Sequence, residues 1–447
     1  MFSARKHGET IESIAERMKS LRLTYPKAGV RDMTDLFWRE YQIKIPRSLV
    51  NSYCKTYEPD LVKQRRANRL SRKLFWAAGL FDVVCVDQHD KWREKWKLGL
   101  HVGVEPMSGQ ILWLEIWHTN RNPKIVASYY LDWVEASGYM PLVTQSDPGT
   151  ENYGIANAHT ALRQWHDPNM VGTLSHRWMN RKKNIKPEII WNQVRRRFSP
   201  GFEDILLVGI NQGWYNCENP LENLVFRWVF IPWLQKELDT FRHRVNNFKK
   251  RRDKNKILPQ GIPNEIVDRP SAFQVMDFRV KVNKEAIDVV RQRYAPRSDQ
   301  VFDLVPCNFN GIISNMYVFL GSPEITRSSC WDVYLALLNK LEEPNIQPSV
   351  LHTLETWDST FVDGDDGQTP ELLANSNPLA NGPGVRTPAG SFYYGGVNHG
   401  NGLDQDQVSV GDEDPGNSEN EIEEADLDGA FGLFSEDEDD DMLDVPM

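Results

Sequence analysis

The chain has 447 residues, enough for roughly two to four domains, and 40% hydrophobic content with 15 Trp can fill a sizeable core. Its five cysteines lie far apart with no CxxC pair, which speaks against a disulfide scaffold and a zinc finger. The N-terminus lacks an apolar signal region and no run of about 18 apolar residues occurs, so the expectation is a soluble intracellular protein with no membrane segment. The cysteine usage suits a reducing compartment, cytosol or nucleus, and the nucleus is the expected location. The net charge of −10 conceals a division. From Asp363 onward there are 22 acidic residues and a single basic one, Arg386, so the first 362 residues hold 51 Lys+Arg against 40 Asp+Glu. A basic body fits a polyanionic partner.

Residues 1–75 read as helical. Thr10 is placed to cap IESIAERMKSLRL, whose Ile11, Ile14, Met18 and Leu21 keep helical spacing. MTDLFWREYQI, a break at Lys44-Ile45-Pro46 and RSLVNSYCKTY follow. Helix, break and helix with Arg47, Asn51 and Lys55 outward fits a DNA-binding helix-turn-helix or a plain helical bundle. The basic run Lys63–Lys73 fits a solvated helix face, a nucleic-acid arm or a nuclear-import patch. From Phe81 the period changes. FDVVCVDQHD, KLGLHVGVEP and GQILWLEIWH predict three strands, with Met107-Ser108-Gly109 as the turn between the last two. Pro123 opens a helix closed by Gly138. MPLVTQSD predicts a fourth strand, Glu151–Trp165 a helix, MVGTLS a fifth strand, and PEIIWNQVRRRF a helix with Pro187 in its first turn. The order β-β-β-α-β-α-β-α gives an α/β class: a mixed five-stranded sheet flanked by helices. Residues 76–262 are expected to form this core, 263–362 an α/β extension, and 363–447 a disordered acidic tail.

The strand ends carry acids. Asp87 ends the first strand and Asp147 the fourth, while Glu188 lies in the first turn of the helix after the fifth. Parallel first and fourth strands would bring both aspartates to one edge, and a helix across that edge would add Glu188. Clustered carboxylates repel one another, and a hard divalent cation such as Mg²⁺ resolves the conflict. Paired ions of that kind serve phosphodiester hydrolysis or strand transfer. Other readings stand beside this one. Asp147 before Pro-Gly also starts a turn, Asp87 fits an ion pair with Lys91 or Arg93, Asp90 is a near alternative to Asp87, and Glu188 suits a helix N-terminus. Glu151 and Asn152 fit capping or orienting roles, His89 fits a place just behind the acids or a partner for Asp90 or Glu94, and Trp191 fits core packing.

Residues from about Phe81 to Ile262 resemble the integrase catalytic core of retroviral-type integrases and DDE transposases, of ribonuclease H-like fold, and more narrowly the integrase-core proteins of fungal and animal genomes. The resemblance rests on VDQHDKW, ILWLEIWHTNRNPKIVASYYLDWV, TQSDPGTEN and the spacing Asn184, Glu188, Trp191. It maps the family's catalytic, metal-binding acids onto Asp87, Asp147 and Glu188. It implies cutting and joining of DNA with Mg²⁺ or Mn²⁺, as two ions, and assembly as a homo-oligomer. Two departures stand out: 40 residues separate Asp147 from Glu188, a longer gap than usual, and Val104-Glu105-Pro106 replaces a common Asp-Gly. The Glu105 change reads as tolerated variation. Arg177, Arg181, Lys182, Lys183, Lys186, Arg195, Arg196, Lys249, Lys250 and Arg251 are candidate phosphate contacts, or solvated helix faces. The acidic tail fits an interaction segment for a protein partner, a competitor in cis for the basic surface, or a solubilising tail. A catalytically silent, domesticated relative that binds DNA or regulates is the alternative to an enzyme.

Overall fold

The computed structural model describes residues 8–26, 28–62, 77–179, 184–250, 258–356, 370–373, 385–386 and 392–393. The expectations for Lys63–Lys73 and for nearly all of the acidic tail lie outside these residues. The N-terminal region is helical as expected: α1 (Ile11–Thr24), α2 (Val30–Tyr41) and α3 (Arg47–Tyr57). Thr10 caps α1 reciprocally, its hydroxyl accepting from the Ser13 amide while its own amide donates to Ser13 Oγ at 2.9 Å. Gln42, with φ 54, ends α2 in the left-handed region, and α3 leaves Arg47 and Lys55 exposed.

The core sheet has the order β3-β2-β1-β5-β6. Strand β1 (Val83–His89) pairs antiparallel with β2 (Gly99–Glu105), and β2 with β3 (Gln110–Trp117). On its other side β1 runs parallel to β5 (Val143–Ser146), and β5 parallel to β6 (His176–Trp178). This is the mixed sheet expected from the sequence. Two boundaries differ. The predicted fourth strand divides into β4 (Tyr139–Met140) and β5, because Pro141 has no N–H to give a ladder. The predicted fifth strand, MVGTLS, is a turn: Thr173 N–H donates to Met170 at 2.9 Å and Gly172 adopts φ 80, so β6 starts only at His176.

Helices cover both faces of the sheet. On one side lie α4 (Pro123–Ser137) and α5 (Tyr153–His166). Asn122 caps α4 by accepting from Lys124 N at 2.9 Å, Pro123 occupies its first position, and Gly138 (φ 75) closes it. Phe81, Val84, Val86 and Trp113 meet these helices together with Ile287 and Val290 of α9, introduced below. On the other side lie α6 (Ile185–Arg197), α7 (Ser199–Asn211) and α8 (Pro220–Asn246). Here Leu100, Val102 and Leu114 of the sheet join Phe198, Phe202, Phe226 and Phe230 in one apolar cluster. That cluster also takes in Ile14, Met18, Phe37 and Val50 from α1–α3, so the N-terminal helices share the core. Gly201 lets α7 approach the end of α1 closely; a Cβ there would sit 1.5 Å from the Thr24 carbonyl oxygen. Asp32 of α2 and Arg197 of α6 add an ion pair at 3.2 Å.

The described residues from 263 to 356, part of the expected α/β extension, are mainly helical. They form a short helix, Pro263–Asp268, then α9 (Lys284–Tyr294), α10 (Cys307–Phe319), α11 (Cys330–Leu341) and α12 (Gln347–Thr356). The one strand described between 263 and 356 is β7 (Val280–Lys281), which extends β4. Apolar positions in α10 and α11 (Phe309, Ile313, Trp331, Tyr334) recur at helical spacing and enter the larger cluster.

Candidate active site at the end of the central strand

Parallel pairing of β1 with β5 sets Cys85 opposite Gln145, so Asp87 and Asp147 each lie two residues further on, at the same edge. Helix α6 reaches that edge through its cap residue. Asn184 Nδ2 donates to the Val86 carbonyl at 2.7 Å, and Asn184 Oδ1 accepts from Gln145 Nε2 at 3.4 Å. Seven residues along, Trp191 Nε1 donates to Asp87 Oδ2 at 3.1 Å. Asn184, Glu188 and Trp191 fall on one face of α6, and the two outer members both bind β1, which turns Glu188 toward the strand end.

The charges agree with this placement. Burial, then the Asp147 charge and further down the Glu188 charge, push the Asp87 carboxyl well above the usual carboxylate range. Burial pushes the Asp147 carboxyl up to about 6. Asp147 Oδ1 is buried and has no hydrogen-bond partner. A buried carboxylate oxygen without a hydrogen-bond partner, at the edge where Asp87 also ends, is costly by itself, and oxygen donors of this kind are what a hard divalent cation takes. Among the described residues, no group of three His, Cys, Asp or Glu side chains is already drawn together tightly enough to hold a metal.

The surroundings fix these acids in place. Asn152 Nδ2 and Ser146 Oγ donate to the Asp147 carbonyl at 3.2 and 2.9 Å, the orienting role expected of Asn152. Ser146 Oγ also meets His176 Nε2 at 3.0 Å, and His176 Nδ1 meets Thr144 Oγ1 at 2.8 Å. Burial, foremost, holds this imidazole down at about 3, so it stays neutral and cross-links β5 to β6. His89 does not pair with Asp90 or Glu94 as expected; its ring stacks on Trp191 at 5.0 Å. Asp90 turns away, accepting from Asn120 Nδ2 at 2.8 Å. Trp191 is 7% exposed and packs in the core as read from sequence, yet its indole N–H is also the donor to Asp87. Sequence reasoning missed that second use. The signal was the 4-and-3 spacing from Asn184 through Glu188 to Trp191. It missed His176 altogether, since the register that places this residue beside Thr144 starts at an unexpected boundary.

The basic candidates divide. Lys249 is exposed, and Lys186, Arg195 and Arg196 are half-buried on or near the acid-bearing helix. Burial, with the Arg195 and Arg197 charges, lowers the Arg196 pKa, as expected where guanidinium groups crowd. Arg177 lies on β6, and its charge reaches Asp82, Cys85 and His176 within the sheet region. Lys250 is a correction: it is 7% exposed and its ammonium donates to the Ser108 and Gly109 carbonyls at 3.2 and 3.0 Å, so it pins the β2–β3 hairpin. Arg181, Lys182, Lys183 and Arg251 lie outside the described residues. Glu105, fully buried, has its own structural purpose in the same hairpin. Its Oε2 accepts from the Ser108 amide at 2.7 Å and its Oε1 from the Met107 amide at 3.0 Å and the Phe81 amide at 3.4 Å.

Comparison with known families bears on the same residues. A family described as integrase core domain matches residues 82–268. No curated protein matches the chain. Among the described residues no helix is long and apolar enough to cross a membrane. The matched segment holds the five-stranded sheet and both acid-bearing strand ends, so residues 82–268 are the part of the chain that is similar to an integrase core domain.

Proposed function

We propose that this protein cuts and joins DNA as an integrase or transposase does, by divalent-metal-dependent phosphodiester cleavage and strand transfer. The reading is supported by the shared sheet edge of Asp87 and Asp147, by the charge of Glu188 acting on Asp87, and by a buried Asp147 oxygen without a hydrogen-bond partner. Asp87, Asp147 and Glu188 would hold Mg²⁺ or Mn²⁺, as two ions. Bound there, such ions would supply an activated water or 3′-hydroxyl and stabilise the departing oxygen. The chain's own residues perform the positioning. Trp191 keeps one Asp87 oxygen fixed, and Asn152 and Ser146 fix the backbone of Asp147. Lys186, Arg195, Arg196 and Lys249, with Arg181, Lys182, Lys183 and Arg251, would contact phosphates and position the backbone without reading sequence. Such work belongs in the nucleus and suits a homo-oligomer that brings two DNA ends together.

A second reading has its own support. The described residues hold no ready-made metal group, as expected of a domesticated, silent relative that binds DNA. One experiment separates the two. Labelled duplex is incubated with the full chain in Mn²⁺, beside Asp147→Asn and a calorimetric titration of the ion. Nicking that Asp147→Asn removes, with heat of ion binding, supports the enzyme. Nicking unchanged by Asp147→Asn refutes the acid site, and absence of both nicking and ion binding leaves the silent relative.

A further inference from the structure

Helix α5 contains an asparagine with no local duty. Asn157 sits in the helix interior, where Asn is a poor helix former because its amide competes with the backbone. It is fully buried. A buried amide that lacks partners costs more than the hydrogen bonds it could have made, so partners must be supplied. They come from far along the chain. Asn157 Nδ2 donates to the Glu371 carbonyl at 2.8 Å, and the Leu373 amide donates to Asn157 Oδ1 at 2.8 Å. The two backbone groups flank Leu372 and face the same way, as the carbonyl of one residue and the amide two residues on do along an extended chain. A single side chain thus satisfies both kinds of backbone group at once. Leu372 and Leu373 are half-buried alongside, while the Glu371 side chain stays in solvent.

We infer that Asn157 is a backbone-reading anchor whose occupant is the chain's own Pro370–Leu373, and that it tethers the acidic tail to the core. The contact selects an extended segment by its main chain and adds apolar cover from the two leucines, the logic by which sheet edges capture peptides. Thirteen residues separate the end of α12 at Thr356 from Pro370, so the same chain can span to α5. The anchor has an electrostatic consequence. After Leu373 the sequence carries 18 acidic residues and one basic residue, Arg386. Fixing Leu373 on α5, the helix that directly follows the Asp147 loop, raises the local concentration of that charge around the basic body. The tail then competes with a polyanion for the same surface. This last step rests on the proposed DNA function; the anchor itself does not.

Two measurements on the full-length chain test the inference. Amide exchange at Leu373 should be at least about tenfold slower than for an unprotected amide. The protection should vanish in Asn157→Ala while α4 keeps its own, which reports an intact core. An unprotected Leu373 in the parent chain overturns the anchor. Protection that weakens on dilution assigns the segment to a second copy and overturns docking in cis. Leu373→Pro removes the donating N–H from outside the core, so folding is not at stake. It should bind duplex DNA severalfold more tightly than the parent, with a gap that narrows in high salt. Equal affinities overturn the competition while the exchange result stands. Absence of DNA binding by either chain refutes the competition together with the proposed function, and again leaves the anchor to be judged by exchange alone.

Discussion

The two ends of β1 each bury a pair of acids, and they use them differently. At the entrance lie Asp82 and Glu105. Burial, foremost, pushes Asp82 up to about 7, and Glu105 is raised for the same first reason. Both are fed by the backbone: Asp82 accepts from Ala78 and Val83 at 2.9 and 2.8 Å, and Glu105 from Phe81, Met107 and Ser108. At the exit lie Asp87 and Asp147, half-buried and raised as well, but a buried Asp147 oxygen has no donor. Burial and a shifted pKa are thus common to both ends and identify neither. What distinguishes the exit is a carboxylate oxygen that the chain leaves for something else.

The sharpest way to break this contrast is Asp147→Asn. Metal-dependent nicking should fall to background, while the metal-free protein should melt about 2 °C or more higher because a buried charge is gone. Mg²⁺ should raise the melting temperature of the parent and not of the variant, read by calorimetry. A parent that ignores Mg²⁺ would make the exit as structural as the entrance. Glu105→Ala should do the reverse. Stripping the acceptor from the hairpin and Phe81 amides should cost on the order of 3 kcal/mol in urea unfolding, with nicking per folded molecule unchanged.

A third test uses a buried acid away from both ends. Burial, its leading cause, holds the Glu115 carboxyl at about 7, above its ordinary 4.5. Between those values the folded chain keeps a proton that the unfolded chain has released, so this residue makes stability fall as pH rises from about 4.5 to 7. Glu115→Gln should flatten that slope and add about 2 kcal/mol at pH 8, measured as the difference between denaturant curves at pH 4.5 and 8. The smallest expected effect is that of Trp191→Phe. The ring's packing is largely kept, the N–H to Asp87 is lost, and ion affinity or nicking should drop about 10- to 100-fold.

Much of this contrast was legible in the sequence, and the illegible part has physical causes. Strand alternation and capping signals gave the order of elements along the chain, and the shared edge of Asp87 and Asp147 followed only on the condition that the first and fourth strands lie parallel side by side, as β1 and β5 do. Glu105 looked like tolerated variation because its donors, Phe81 and Ser108, are identified only by the fold. Lys250 looked like one more member of a basic run, and nothing local says that its ammonium reaches back to a hairpin. The fifth strand was misplaced by a few residues because β-branched and apolar residues in MVGTLS outweighed a glycine that needs positive φ. The α/β expectation for 263–362 differs from the mainly helical residues described there because these elements are short and bury their faces against distant partners, α9 against α4 and α5 and α11 against α8.

The apolar cluster that runs from α1–α3 into the sheet sets how the molecule must behave as a machine. An arm hung on a flexible joint could search for its substrate independently of the blade. Here α1–α3 are welded to the blade's back, through Gly201 and the Asp32–Arg197 pair among others. The outward side of α3 is therefore held at one fixed pitch to the acid edge.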